Sequence, residues 1–268
     1  MPQSITIQDI YIYPVKSLKG IRIETAMLEK RGLQYDRRWM LVDEKNHFLS
    51  QREISELTLF DLIQTNDGFK ITHPIANNSE FILPFTIEQG KHINVTIWDD
   101  ICPAIEYEEA SNWFSKQLNI KCKLVYMPDT SNRYVEKEFA HNNEITSFSD
   151  GYPLLLISQE SLNELNKNLP SPIEMIRFRP NIVISGSYAF EEDLWKIINI
   201  NKIEITVAKP CERCVIPTIN PLTGKKEKKI NTALSKFRMR ENKIYFGQNL
   251  LPNNTGIITC GEELTKVE

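Results

Sequence analysis

The sequence predicts a mainly β protein with a few helices, folded into barrels or sandwiches. Short runs of apolar residues typical of strands recur along the 268 residues. Only three segments show the spacing of an amphipathic helix. The ten glycines are dispersed and form no dinucleotide-binding or phosphate-binding fingerprint, which disfavours a strand–helix–strand repeat.

The strand predictions begin near the N-terminus. Ile5 and Ile7 alternate, and Ile10 and Ile12 then resume in the opposite phase, which predicts a bulge or bend. A hairpin is predicted from residues 39–42, a turn at 43–46, and residues 47–49. Further strands are predicted at 81–83, 93–98, 121–125, 154–157, 181–185, 202–207 and 242–246.

Three helices are predicted. The first follows the acidic residues 106–109 and places apolar side chains at 110, 113, 114 and 118 on one face. The second carries leucines at 162, 165 and 169 after the capping-box pattern Ser161-x-x-Glu164. The third is predicted within residues 231–240.

A polar stretch at residues 127–147 separates two halves of similar size. Such a stretch is typical of a linker or of a long functional loop. We therefore expect two β-barrel-like domains, residues 1–126 and residues 127–268.

The bulk composition restricts the class of protein. A net charge of −3 disfavours binding to nucleic acid or to an anionic membrane. No run approaches the roughly 20 apolar residues of a membrane span, and the N-terminus lacks the pattern of a signal peptide. Five unevenly spaced cysteines predict no disulfide framework, so we expect a cytoplasmic protein.

The segment Lys209-Pro-Cys-Glu-Arg-Cys-Val-Ile-Pro217 is the most informative part of the chain. Its prolines and β-branched residues hold the backbone extended or turned, which disfavours a thioredoxin-like redox pair at a helix N-terminus. A closed zinc site needs four ligands at short spacings, and the other cysteines are scattered. The segment therefore offers a thiolate to a soft partner, beside Arg213, a cation able to hold an anion.

Two N-terminal segments carry candidate anion-binding residues. Tyr13-Pro-Val-Lys-Ser-Leu-Lys-Gly20 places Lys16 and Ser17 where a strand runs into a turn, a set suited to a phosphate. An ordinary turn with a solvated lysine is the alternative. Arg37 and Arg38 precede a strand and point in opposite directions if extended, so at most one faces a site. A surface Asp–Arg ion pair that contributes little energy is the alternative.

Two C-terminal segments add polar groups. Pro180 should hold Arg179 extended, and Asn181 can offer an amide edge to a heterocycle, although the segment also leads into a buried strand. Phe246-Gly-Gln-Asn249 is a glycine turn followed by two amides. The four histidines are expected at the surface, which excludes histidine-based catalysis. Residues 225–229 carry four lysines that form a solvated loop or attract an acidic partner.

Five segments, taken in order, resemble the family of MOSC-domain proteins that also carry an N-terminal MOSC β-barrel domain, a family that includes the mitochondrial amidoxime-reducing component and its bacterial relatives. They are Tyr13-Pro-Val-Lys-Ser17, Asp36-Arg-Arg-Trp39, Phe178-Arg-Pro-Asn-Ile182, Cys211-Glu-Arg-Cys214 and Phe246-Gly-Gln-Asn249. The resemblance implies a MOSC N-terminal β-barrel domain at 1–126 and a MOSC domain at 127–268.

The resemblance also implies a molybdenum cofactor (Mo-molybdopterin), with Cys214 as the metal ligand and catalytic residue. The family's cofactor-contacting positions correspond to a larger set: Lys16, Ser17, Arg37, Arg179, Asn181, Cys214 and Asn249. Cys211 takes no role from the resemblance. Glu212 stands where many relatives have Ser, so a hydroxyl contact there cannot be transferred.

The implied activity is reduction of N-hydroxylated compounds (hydroxylamines, amidoximes and N-hydroxylated bases), a detoxification reaction. Only Cys260 lies near the end of the chain, so we expect no iron–sulfur cluster and a separate electron donor of the cytochrome b5, flavodoxin or ferredoxin type. A carrier of molybdenum cofactor or persulfide, without turnover, is the alternative. A cytosolic β protein that binds no metal is a third reading.

Overall fold

The computed structural model describes residues 4–73 and 79–267, and over these residues the protein is mainly β, as predicted. Twenty-one strands are formed by the described residues. They are β1 (Thr6–Ile12), β2 (Ile21–Ile23), β3 (Thr25–Glu29), β4 (Gly32–Leu33), β5 (Trp39–Val42), β6 (Asp61–Gln64), β7 (Gly68–Thr72), β8 (Glu80–Pro84), β9 (Lys91–Ile97), β10 (Asp100–Glu106), β11 (Lys123–Tyr126), β12 (Arg133–Tyr134), β13 (Ile145–Thr146), β14 (Leu154–Ser158), β15 (Ile182–Ser185), β16 (Ile197–Ile200), β17 (Ile203–Glu212), β18 (Met239–Arg240), β19 (Lys243–Pro252), β20 (Gly256–Thr259) and β21 (Leu264–Val267).

Helices are few. The α-helices are α1 (Glu108–Leu118), α2 (Gln159–Lys167) and α3 (Lys229–Arg238), and short 3-10 turns lie at Ser55–Leu59, Met175–Phe178, Glu191–Leu194 and Ile216–Thr218. All three predicted helices therefore exist. Among the described residues, no helix is long and apolar enough to cross a membrane.

The largest sheet combines strands from both ends of the chain. Its order is β2-β1-β15-β14-β19-β17-β16-β21, with β18 paired to β19. Strands β14 and β15 are parallel and are connected through α2, whereas the other neighbours along this order are antiparallel. Strand β3 pairs with β20 in a separate three-stranded sheet. The N-terminal strands are therefore completed by partners from the second half of the chain.

The N-terminal half also contains two smaller sheets. Strands β5, β11, β10 and β9 form a four-stranded sheet, and β6, β7 and β8 form another of three strands. One apolar cluster, which includes Trp39, Phe114, Ile184 and Ile205, joins residues from both halves of the chain. Burial of this cluster supplies the main favourable term for folding.

Several local predictions are confirmed and others are wrong. The pairing of β1 with β15 shifts register between Ile7 and Asp9, which is the predicted bulge. The predicted hairpin after β5 forms, with a bridge between Val42 and Phe48 and backbone hydrogen bonds from Asp43 to His47 and from Leu49 to Leu41, but residues 47–49 are not a full strand. Helix α2 is capped by Ser158, whose Oγ accepts from the N–H of Ser161. The cap therefore lies three residues before Ser161, where the capping box was predicted to begin.

One histidine prediction is also wrong. His73 is buried, and its ring packs 4.5 Å from the ring of Phe60 between centroids. Burial beside this aromatic ring lowers the pKa of the His73 imidazole, which favours its neutral form.

Candidate functional site

A cavity of about 830 Å³ lies where the large sheet meets the loops of the N-terminal half. We call it the Cys214 cavity. All seven residues predicted from the sequence line it: Lys16, Ser17, Arg37, Arg179, Asn181, Cys214 and Asn249. Eight basic and five acidic side chains occur in its lining. Such a volume and such a surplus of positive charge suit an anionic small molecule.

The ring of Tyr13 supports two of the guanidinium groups. The guanidinium carbons of Arg37 and Arg179 lie 4.3 and 4.2 Å from the centroid of this ring. The Tyr13 hydroxyl donates to the carbonyl of Pro180, and burial raises its pKa although both arginines oppose the shift. A Cβ at Gly20 would lie 2.4 Å from Tyr13 Cε1, so the turn beside the ring requires glycine.

Three predicted site residues adopt a left-handed backbone. The φ angles are 71° at Ser17, 50° at Arg37 and 57° at Arg179. The predicted extended conformation of Arg179 is therefore wrong, because this residue ends the 3-10 turn before Pro180 and bonds back to Ile176. Left-handed non-glycine residues cost on the order of 1–3 kcal/mol each and are concentrated at functional sites.

Hydrogen bonds hold these strained residues in place. Gln51 donates to the carbonyl of Ser17 at 2.6 Å. Arg37 donates to Asp36 at 2.6 Å and to the amide oxygen of Asn181 at 3.1 Å. Arg179 donates to the carbonyl of Leu18 at 2.7 Å. As predicted, only one of the adjacent arginines lines the cavity, because Arg38 bonds to the Met127 carbonyl instead.

The side-chain amides of Asn181 and Asn249 differ in whether they are available to a ligand. Asn181 is buried; its Oδ1 accepts from Arg37 and from the Leu155 N–H, and its Nδ2 donates to the carbonyl of Tyr11. Asn181 thus orients Arg37. Asn249, on the central strand β19, makes no side-chain hydrogen bond within residues 4–73 and 79–267, so its amide remains available to a ligand.

Lys16 and Asp150 form an ion pair inside the cavity. Lys16 is 6% exposed, and its Nζ lies 2.6 Å from Asp150 Oδ1. Burial lowers the pKa of Lys16 to about 8, although Asp150 opposes this shift. Desolvation acts to raise the pKa of Asp150, but Lys16 and Arg52 outweigh it and hold that pKa well below its usual range. The carboxylate is therefore charged at any physiological pH.

The segment 127–147, predicted as a linker or functional loop, contributes to the cavity wall. It forms strands β12 and β13, and residues 134–137 line the cavity. Arg133 is buried and donates to the carbonyls of Ser147, Ser149 and Asp150 at 3.2, 2.6 and 3.0 Å. These bonds fix the loop that carries the Asp150 carboxylate.

The two cysteines occupy different environments. Cys211 lies in β17, and its sulfur accepts from Arg213 Nη1 at 3.0 Å. Desolvation raises the pKa of this thiol, and Arg213 only partly offsets the rise. Cys214 follows the end of the strand, and its sulfur is 3.5 Å from both Arg52 Nη2 and the Ile216 N–H. The segment is extended and then turned, as the prolines predicted.

Arg213 has a buried donor, Nε, that finds no partner in the part of the chain that the structure describes. Its Nη2 donates to the carbonyl of Phe178 at 2.7 Å, whereas its Nε makes no hydrogen bond to any described group. Arg213 also lines the cavity. A buried N–H that lacks a partner is costly, so this atom fits an acceptor on a bound molecule.

The sequence analysis missed several lining residues. Arg52 contacts the sulfur of Cys214, and Trp98 packs against Arg52. Both residues line the cavity, but neither belongs to a sequence motif. On another part of the wall, Lys209 and the Tyr152 hydroxyl both donate to Glu136 Oε2, at 2.7 and 3.2 Å. The aromatic environment of Lys209, formed by Phe139 and Tyr152, depends on residues far away in the chain.

Comparison with known proteins assigns the chain to a protein family. Two family models match the chain: the MOSC N-terminal beta barrel domain over residues 4–121 and the MOSC domain over residues 143–265. The chain belongs to the family of MOSC-domain proteins with this N-terminal domain, as the motifs indicated.

The chain is similar to relatives of two kinds. Mitochondrial amidoxime-reducing component 1 of Mus musculus is 30% identical, over 96% of this chain and 81% of the relative. Mitochondrial amidoxime reducing component 2 of Homo sapiens is 31% identical, over 82% of this chain and 68% of the relative. Molybdenum cofactor sulfurase of Oryza sativa is 30% identical over 91% of this chain but only 32% of its own length.

Proposed function

We propose that this protein is a molybdenum-cofactor-dependent oxidoreductase that reduces N-hydroxylated compounds with electrons from a separate redox protein. The observation that supports it most is the Cys214 cavity, where the Cys214 thiol meets a surplus of basic side chains. The similarity to amidoxime-reducing components supports the choice of substrate class. A cytoplasmic location is part of this proposal.

The residues present fit such a cofactor. A thiolate is a suitable ligand for molybdenum. Cys214, the position that matches the family's metal ligand, would supply this thiolate. Lys16, Arg37 and Arg179 would hold the anionic part. The amide of Asn249 and the Nε of Arg213, neither of which bonds to a described residue, suit a heterocycle or phosphate.

The protein's own residues would prepare the site for the reaction. When bound, the cofactor supplies the two-electron redox chemistry. Tyr13 and Asn181 hold the guanidinium of Arg37 before any ligand arrives, which lowers the cost of ordering it on binding. Asp150 remains ionised and keeps Lys16 and Arg52 oriented toward the cavity.

The proposal is tested by producing the chain in a host able to make the cofactor. We expect roughly one molybdenum per protein and reduction of benzamidoxime to benzamidine with a small chemical reductant. Protein with a full metal content that leaves benzamidoxime unchanged would contradict the enzymatic part of the proposal.

A carrier of molybdenum cofactor or of a persulfide on Cys214 is the second candidate. The similarity to a molybdenum cofactor sulfurase over 91% of this chain favours keeping it. A carrier would bind cofactor or sulfane sulfur and transfer it to an acceptor protein without reducing an N-hydroxylated substrate. Mass spectrometry of Cys214 for an added sulfur distinguishes the persulfide form.

A further inference from the structure

Arg52 is the cation in direct contact with the sulfur of Cys214. Its Nη2 lies 3.5 Å from Cys214 Sγ and 3.2 Å from Asp150 Oδ2. The Nε and Nη1 groups of Arg52 have no hydrogen-bond partner among the described residues, and the side chain is 20% exposed to the cavity. Arg52 therefore has donors available to a ligand that lies beside this sulfur.

Trp98 holds the Arg52 guanidinium on the face of its indole ring. The guanidinium carbon is 4.6 Å from the Trp98 centroid, and Phe48 packs against the same ring at 4.9 Å. Trp98 begins the tight turn between β9 and β10 with a φ of 54°, a conformation rare for a large side chain. The turn thus accepts backbone strain that places an aromatic ring at the cavity wall.

The backbone of Arg52 is fixed as well. Lys226 Nζ donates to the Arg52 carbonyl at 3.0 Å, and the neighbouring Gln51 donates to the Ser17 carbonyl. Contacts from Trp98, Asp150 and Cys214 therefore converge on one guanidinium, while Lys226 holds the backbone carbonyl of the same residue. Such preorganisation is expected of a group that must meet a ligand atom in a defined position.

The cavity separates its arginines onto two aromatic rings. Arg37 and Arg179 share Tyr13, whereas Arg52 alone lies on Trp98. The first pair is the one assigned above to the anionic part of a cofactor. Arg52 contacts the sulfur proposed as the metal ligand, so its free donors are placed for the molecule that reacts there.

We propose that Arg52, positioned by Trp98, binds the oxygen of the N–O group of the substrate, a role that rests on the proposed function. A free N–H of this guanidinium can donate a charge-assisted hydrogen bond to one oxygen acceptor, which suits the N–O oxygen of a hydroxamate, an amidoxime or a hydroxylamine. The exposed part of the Trp98 ring offers an apolar face to an aromatic substituent on the same molecule.

The test compares Arg52→Gln, Arg52→Lys and Trp98→Leu with the wild-type chain. In loaded enzyme with a chemical reductant, Arg52→Gln should raise the KM for benzamidoxime about tenfold or more, as expected for loss of a charge-assisted bond. Arg52→Lys should restore part of this loss, and Trp98→Leu should shift KM in the same direction. The molybdenum content should stay unchanged in all three variants.

A binding measurement makes the proposal independent of turnover. Calorimetric titration of cofactor-free protein with benzohydroxamate should show about tenfold weaker binding for Arg52→Gln. Arg240→Gln, the same change at an exposed residue outside the cavity lining, should match the wild type.

Three outcomes would overturn the proposal. They are unchanged KM and unchanged benzohydroxamate affinity in Arg52→Gln, no benzohydroxamate binding by the wild type, or loss of molybdenum from Arg52→Gln with an unchanged KM for the fraction that retains metal. The last would make Arg52 a cofactor anchor. If Arg52→Gln does not fold, Trp98→Leu with unchanged KM and affinity refutes it. Loaded wild-type enzyme without turnover that still binds benzohydroxamate through Arg52 would refute only the proposed function.

Discussion

Replacement of Lys16 by Met tests whether the basic wall of the cavity binds an anion. The lysine is almost fully buried, and its Nζ contacts Asp150 and lies 5.4 Å from the Phe48 ring centroid. Methionine keeps an unbranched stem of similar length, so packing against Phe48 changes little. The substitution removes one positive charge and three donors while Arg52 continues to pair with Asp150.

The size of the effect follows from the lost contact. A hydrogen bond to a charged group contributes about 1.5–3 kcal/mol, and each 1.4 kcal/mol changes affinity tenfold. We therefore expect the affinity for an anion to fall roughly 10- to 150-fold. The upper part of this range is favoured because Asp150 would be left with one counter-charge fewer and would repel the anion more strongly.

The pH dependence provides a second, independent signature. The pKa of Lys16 is lowered to about 8, so in the free protein this side chain is mainly charged below that pH and mainly neutral above it. An anion binds the charged form and raises the pKa in the complex, so the affinity should decline as the pH rises above 8. Lys16→Met should lack this decline.

The assay is calorimetric titration of cofactor-free protein with sulfate, which stays a dianion between pH 6.5 and 9.5. Lys19→Met is the matched control, because Lys19 pairs with Asp61 and lies outside the Cys214 cavity. The molybdenum-to-protein ratio of loaded protein gives a further readout. A folded Lys16→Met protein with wild-type sulfate affinity, wild-type pH dependence and full metal content would refute the reasoning.

Three further predictions concern the thiols, the lysine run and helix α2. Cys214→Ser should abolish turnover and alter the metal absorption, whereas Cys211→Ser should keep most activity; the reverse pattern would identify the other sulfur as the ligand. Gln at both Lys225 and Lys228 should flatten the decrease of donor-driven turnover with rising ionic strength, because long-range attraction is screened over about 8 Å at physiological salt, and an unchanged salt profile would contradict a docking role. Ser158→Ala should lower the free energy of unfolding in urea by about 1 kcal/mol, since it removes the cap of α2, and equal stability would show that the cap is dispensable.

The test of the lysine run replaces only two of its four lysines, Lys225 and Lys228, for a structural reason. Lys226 donates to the Arg52 carbonyl, and Lys229 opens α3 and donates to Ser171. Replacing either would disturb local structure as well as charge. Lys225 and Lys228 are therefore the better test of electrostatic guidance.

The sequence allowed prediction of those features that local patterns encode. The bulge in β1 follows from the change in phase of its isoleucines, because the pleat turns successive side chains to opposite faces. The non-helical cysteine segment follows from its prolines. The seven residues predicted from five short motifs line one cavity. Four of these motifs lie where a strand begins or ends, whereas Phe246-Gly-Gln-Asn249 lies within β19, so the predicted glycine turn there is wrong.

Other features depend on contacts that no local pattern contains. Arg52 and Cys214 are 162 positions apart, and the stack on Trp98 requires the β9–β10 turn to reach the same wall. The left-handed backbones at Ser17 and Arg179 occur at residue types that rarely adopt them, so tertiary contacts rather than propensity impose them. The predicted cap of α2 at Ser161 is wrong, because Ser158, three residues earlier, is equally suited to cap a helix and does so in the structure.

The pairing of early strands with late ones has a consequence for synthesis on the ribosome. Strand β1 pairs with β15, and β3 pairs with β20, which is synthesised about 230 residues later. At roughly 5–20 residues per second, β3 waits on the order of 10–50 s for its partner. During that interval its unpaired edge can pair with another nascent chain. Slowing translation near the end of the message should therefore increase aggregation, and a chaperone that covers β1 and β3 should relieve it.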